Sequence, residues 1–200
     1  RFDPAAPLAL FRAIWETDPE YAHRDLALFQ IGRLETELGD PEGSRTLLTF
    51  LQSFPNSDYA QEAELRLGDL AFDERDYVNA IPHFEQAAAG AAAPLAGIAL
   101  YKLGWSYYGR DQFDEAAGAF SRLLDLYESG ALANARFDLR AEAEQYLAHS
   151  LARGGAAEAY RHHFATLGAR PYEERVLRAL SALLADHSLY AEAIEADRLY

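Results

Sequence analysis

Apolar side chains recur along this chain at helical spacing, and the period of two that marks a strand is absent throughout. Leu100, Leu103 and Tyr107 share one helix face, and Leu65, Leu67, Leu70 and Phe72 form a second helical run. Polar turn residues separate such runs: Gly39-Asp40-Pro41-Glu42-Gly43, Asp73-Glu74-Arg75-Asp76, Gly109-Arg110-Asp111, Arg153-Gly154-Gly155 and Asp186-His187-Ser188. The pattern also repeats over a longer distance. Gly32, Gly68 and Gly104 stand 36 residues apart, each after a large aliphatic residue. Twelve residues beyond each glycine comes a small residue (Ser44, Ala80, Ala116), and four further a large one (Leu48, Phe84, Phe120). Leu51, Ala87 and Leu123 follow three positions later. A fourth copy fits Leu147, Ala148, Tyr160, Phe164 and Leu167 after about eight extra residues within 128–140, and a fifth fits Leu180, Ser181 and Ala193.

This arrangement predicts antiparallel helix pairs. Small residues at the Gly68 and Ala80 positions let two helix backbones approach, while Phe84 and Phe120 fill the space toward the next pair. One hairpin cannot bury both of its faces, whereas stacked hairpins can. The expected fold is all-α, a right-handed α-solenoid of about five hairpins forming a single domain over 1–200. A half repeat at 1–20, carrying Phe11, Ile14 and Pro19, precedes repeats at 21–57, 58–93, 94–129, 137–169 and 171–200.

Leu67-Gly68, Tyr77, Ala80, Phe84 and Ala87, and again Leu103-Gly104, Tyr107, Phe113, Ala116 and Phe120, resemble the tetratricopeptide repeat signature in two successive copies. The chain departs from that family in its 36-residue period, in Ala148 where glycine is usual and in Asp197 where an aromatic is usual. A narrower resemblance rests on Ser53-Phe54-Pro55-Asn56-Ser57-Asp58-Tyr59-Ala60 followed by Glu64-Leu65-Arg66-Leu67-Gly68-Asp69. This junction is similar to repeats of bacterial cell-envelope proteins such as the Tol-Pal coordinator and the barrel-assembly lipoprotein. Gly104-Trp105-Ser106-Tyr107-Tyr108 and Gly168-Ala169-Arg170-Pro171-Tyr172-Glu173 resemble periplasmic repeat proteins of gliding motility. These resemblances imply a periplasmic or outer-membrane-associated scaffold, with a cytoplasmic array as the alternative.

Charge and composition narrow the chemistry. Among 200 residues, 18 Lys and Arg face 32 Asp and Glu, and a net charge of −14 repels nucleic acid phosphates and anionic membrane surfaces. No apolar run approaches the ~20 residues of a membrane-spanning helix. With no cysteine, disulfides, thiolate nucleophiles and sulfur-ligated metals are excluded. The start at Arg1 without Met and the stop at Tyr200 within a helical pattern suggest a piece of a longer protein.

No glycine-rich phosphate loop, GxSxG elbow or HExxH pair is present. Glu158, His162 and His163 form the one local cluster with ligand chemistry, and a helical Glu–His pair is more often a solvated surface contact than a metal site. The expectation is a protein without catalytic residues, metal or cofactor, whose partners are proteins or peptides.

In the tetratricopeptide family the first helix of each hairpin lines a concave groove, and the resemblance places Phe29 and Arg33, then Leu65, Asp69, Phe72 and Asp73, then Ile98, Tyr101, Trp105 and Tyr108 along it. Tyr101, Trp105 and Tyr108 form an aromatic ladder, with Trp105 the most exposed. Aromatic residues concentrate binding energy when a partner desolvates them, so an apolar helix or extended peptide with basic flanks suits a groove with acidic edges. The family's clamp for a C-terminal carboxylate uses Lys and Asn where this chain has Phe29, Leu65 and Asp69, which disfavours a cochaperone role. The alternative is a purely architectural segment of a larger assembly, or of an enzyme whose chemistry lies elsewhere.

Overall fold

Helices account for all the regular structure among the described residues of the computed structural model, which are 4–90 and 92–199. Arg1 and Tyr200, on which the reading of the chain ends rests, lie outside them. The chain divides into two compact units, Arg1–Ala89 and Gly90–Tyr200. Both are built from antiparallel helix pairs, so the protein is an all-α repeat of the solenoid class.

The first unit holds α1 (Ala5–Thr17), α2 (Arg24–Glu37), α3 (Glu42–Ser53), α4 (Ala60–Asp73) and α5 (Tyr77–Ala88). Its core joins Leu28, Phe29, Leu47, Phe50, Ala63 and Leu67, with Trp15 packed against it from α1. A second cluster of Leu8, Ile31 and Leu34 takes Phe11 from α1, so the leading half repeat covers the open face of α2. Glu35 is buried here, only 3% exposed. Its carboxylate accepts from the Arg12 guanidinium at 2.7 Å and from the Thr46 hydroxyl at 2.6 Å, which ties α1 and α3 to α2 and compensates its desolvation.

The first hairpin departs from the expected spacing. Leu48 was expected to match Phe84 and Phe120, but it is 41% exposed, while Gly43, Leu47 and Phe50 face inward in place of Ser44, Leu48 and Leu51. A shift of one residue turns a helix by about 100°. In this orientation the larger Phe50 is buried against Phe29 at 5.6 Å between ring centroids, and phenylalanine removes more apolar area from water than leucine at the same place. Gly43 permits the shift, because a β-carbon there would fall 2.7 Å from the Thr36 backbone nitrogen.

The second unit holds α6 (Ala93–Tyr108), α7 (Phe113–Glu128), α8 (Arg140–Gly154), α9 (Ala157–Leu167), α10 (Glu173–Asp186) and α11 (Tyr190–Asp197). The extra residues of the fourth copy form an irregular link, 129–139, between α7 and α8. Tyr127 pins this link: its hydroxyl accepts from the Leu139 N–H at 2.7 Å and donates to the Phe137 carbonyl at 3.3 Å. The segment 168–173 pins α10 to α7 in a similar way. The buried Tyr172 hydroxyl lies 3.1 Å from an Asp125 carboxylate oxygen, which also accepts from Arg170 at 3.1 Å. Burial raises the Tyr172 pKa well above the usual phenol range. In the fifth hairpin Ser181 and Asp197 occupy the glycine and aromatic positions, and the Ser181 hydroxyl donates to the Asp197 carboxylate.

Four of the five hairpins turn on a single left-handed residue, and the α8–α9 hairpin uses two successive residues of positive φ, Gly155 and Ala156. Gly39, Arg75, Asp111, Gly155 and Ser188 each have positive φ. In each turn the following N–H donates to the carbonyl five residues back: Asp40 to Glu35, Asp76 to Ala71, Gln112 to Tyr107, Ala156 to Leu151 and Leu189 to Leu184, all at 2.8–3.0 Å. A left-handed residue closing a helix with this bond satisfies carbonyls that the helix end leaves open.

Candidate functional site

In the second unit the first helices of two hairpins place aromatic side chains together. Residues three and four apart on a helix are neighbours, so Tyr101, Trp105 and Tyr108 on α6 form a continuous row. Their ring centroids are separated by 6.4 Å and then 6.1 Å, both edge-on. Trp105 also meets Tyr146 on α8 at 4.1 Å, and Tyr146 continues to His149 at 5.6 Å. Behind the row, Phe120 packs edge-on to Tyr101 and stacks on Tyr146. All three rings of this row are half-buried, so each has one side held by a neighbour and another open.

Trp105 is therefore less exposed than its position in the sequence suggested, because Tyr146 covers part of the indole. The groove positions expected from the sequence stop at the third repeat and so leave out Tyr146 and His149. His149 stands two residues after Leu147, as Trp105 does after Leu103, and extending the register by the eight-residue insertion finds it. Tyr146 follows Ala143 by three and precedes Ser150 by four on the same helix, and no repeat position points to it.

The electrostatics of this surface are those of a partly dehydrated face. Burial raises the Tyr101 pKa, opposed by its contact with Trp105 and assisted by the charge of Glu142. Burial lowers the His149 pKa, and the nearby charge of His187 adds to the effect. Both shifts favour neutral side chains.

In the first unit the expected positions divide. Phe29 does not belong to an open surface: it is 1% exposed, tilted against Phe50 and stacked on Tyr59 at 5.1 Å. This corrects its assignment to the groove, and the cause is the same rotation of α3 that buries Phe50. Leu65, Asp69 and Phe72 on α4 are half-buried and Asp73 is exposed. The Phe72 ring packs against Tyr77 at 5.5 Å and Phe84 at 6.1 Å. Arg33 donates to Glu37 at 2.7 Å and to Gln30 at 2.7 Å, and Arg66 donates to Glu62 at 3.0 Å. The acidic side chains flanking α2 and α4 are thus partly neutralised by their own helix neighbours.

Glu158 and His162 are exposed on α9, whereas the half-buried His163 turns toward α7 and lies 2.8 Å from the Ser121 hydroxyl. Among the described residues no group of three or more His, Asp or Glu is placed to hold a metal ion. None of the helices formed by those residues is long and apolar enough to cross a membrane.

The sequence model described as tetratricopeptide repeat matches residues 29–94 and 65–131, more than half of the chain. Two solved structures are similar in fold. The MamA RS-1 ArsTM double mutant is 21% identical with a TM-score of 0.58, covering 88% of this chain and 86% of that one. MamA 41-end from Desulfovibrio magneticus RS-1 is 22% identical with a TM-score of 0.51, covering 86% of this chain and 96% of that one. No curated protein sequence matches the chain.

Proposed function

The chain belongs to the tetratricopeptide repeat family, whose members are protein-interaction scaffolds and generally non-catalytic, and from that premise we propose that it binds a partner protein through the aromatic face of α6 and α8. The observation that carries this reading is the half-buried row of Tyr101, Trp105 and Tyr108, joined to Tyr146 at 4.1 Å from the indole. A helix or extended segment laid along the row would dehydrate rings already held in place, so little side-chain ordering opposes binding. Aromatic side chains in such positions supply most of the energy of an interface. The net charge of −14, with Glu142 beside Tyr101, favours an apolar segment with basic flanks. On the first unit Leu65, Asp69, Phe72 and Asp73, with Arg33, offer a smaller surface of the same type.

The mechanism is binding without chemistry. An envelope complex is the setting suggested by the resemblance of the junction at 53–69 to envelope repeats, and fractionation of the source cells tests it. An architectural role for the repeats is the second reading, favoured by the complete burial of Phe29.

The test compares pull-downs by wild type and by Tyr101→Ala/Trp105→Ala/Tyr108→Ala, from envelope and cytoplasmic extracts. Circular dichroism must show the variant folded, and Trp105→Leu is the milder substitute if it is not. A partner kept by wild type and lost by the folded variant supports the aromatic face. Equal capture by both rejects it.

A further inference from the structure

The link 129–139 builds a pocket that the repeat pattern does not contain. Gly97 and Ile98 of α6, Leu123 and Tyr127 of α7, and Leu132 and Phe137 of the link enclose about 260 Å³. The wall is almost wholly apolar. Drug-sized ligands occupy roughly 300–1,000 Å³, so this space fits one or two amino-acid side chains. Gly97 makes room for the link itself, since a β-carbon there would come 3.2 Å from the buried Leu132. At the mouth, Phe137 is 62% and Ile98 39% exposed. Both present side-chain surface to solvent.

Arg136 lines this pocket, and the Arg140 guanidinium lies beside one of its rings. Arg136 lies 5.5 Å from the centre of the Phe137 ring and Arg140 lies 5.1 Å from the centre of the Tyr127 ring, and both rings line the pocket. Among the described residues no carboxylate forms an ion pair with either guanidinium, whereas nine of the sixteen described arginines have such a partner. Asp138, between the two arginines in sequence, accepts from the Arg140 backbone N–H at the start of α8. An arginine drawn to an aromatic ring keeps its planar fork of donors available, and carboxylates bind that fork.

We propose that this pocket binds an acidic peptide segment of a partner, with one apolar side chain seated among Leu123, Tyr127 and Phe137 and neighbouring carboxylates paired with Arg136 and Arg140. The charge preference is opposite to that of the α6–α8 face. The chain's overall negative charge does not prevent this, because fields between exposed charges are screened over about 8 Å at physiological salt, while the two guanidiniums act at contact.

The experiment is selection of a displayed random-peptide library against the immobilised wild-type chain, followed by affinity measurement on three folded variants. Ala135→Trp fills the pocket from its wall, Arg136→Glu/Arg140→Glu reverses its charge, and Trp105→Leu alters only the aromatic face. The expected result is a family of selected peptides with an apolar residue beside Asp or Glu. Their affinity falls at least about tenfold, or ~1.4 kcal/mol, on Ala135→Trp and on Arg136→Glu/Arg140→Glu, weakens with added salt, and is unchanged by Trp105→Leu. Three results overturn the proposal: no peptide enriched over an uncoated surface, selected peptides that bind the pocket variants as well as wild type, or self-association of the chain abolished by Ala135→Trp. The last assigns the pocket to a second copy.

Discussion

Gly104 faces the ring of Phe120 so closely that a β-carbon on Gly104 would stand 2.6 Å from Phe120 Cζ, and Gly68 meets Phe84 at the same 2.6 Å one repeat earlier. The absent side chain lets α6 and α7, and α4 and α5, pack at short range, with a fully buried ring filling the contact. Gly104→Ala and Gly68→Ala must displace that ring, at a cost of about 1–3 kcal/mol. This exceeds the ~1 kcal/mol by which alanine favours a helix over glycine. Gly118 on α7 provides the contrast, because a β-carbon there meets nothing within 4 Å. Urea unfolding is expected to show lower midpoints for the first two substitutions and a higher one for Gly118→Ala.

The shared left-handed turn makes a second expectation. Arg75 and Asp111 hold φ of 60° and 58° where the first hairpin has Gly39 at 72°. A left-handed conformation costs a residue with a β-carbon roughly 1–2 kcal/mol, partly offset by the greater freedom of glycine in the unfolded chain. Arg75→Gly and Asp111→Gly therefore stabilise by about 0.5–1 kcal/mol, and Gly39→Ala destabilises by a similar amount. Thermal unfolding of the three variants measures the sign directly. The contact of Asp111 with Arg153 at 3.4 Å is exposed and contributes little.

These two devices show which parts of the fold were legible. The 36-residue spacing of Gly32, Gly68 and Gly104 identified the repeat because each hairpin needs one close helix contact, and the turn residues marked where each pair reverses. The inward face of α3 was not legible. Both Leu47 and Leu48, and both Phe50 and Leu51, are apolar, and the choice between the two stripes depends on Phe29 and Tyr59 across the core. For the same reason Phe29 read as a surface position. The pairing of Trp105 with Tyr146 joins residues separated by the irregular link, whose path no periodicity describes. The position of Arg136 and Arg140 over aromatic rings is set by that same path.

His163 gives the protein a pH-dependent contribution to stability. Burial lowers its pKa below the usual 6.5, with the charge of Asp114 opposing and that of His162 assisting. Above the unfolded-state value the ring is neutral in both states and its contribution is complete. As pH falls through and below about 6.5, the unfolded chain takes the proton first, and stability is lost until the folded pKa is passed. Wild type should lose more melting temperature than His163→Gln between about pH 7.5 and pH 5. His149 shifts in the same direction but is present in both proteins and cancels in the comparison.

The most direct test of the scaffold reading is photo-crosslinking in the source cells, with p-benzoylphenylalanine placed in turn at Trp105 on α6 and at the exposed Arg122 on α7. The account predicts that one partner protein crosslinks from position 105 and not from position 122, and that an excess of unlabelled wild-type chain competes the product away. A partner captured from position 122 alone, or equally from both, would contradict binding through the aromatic face.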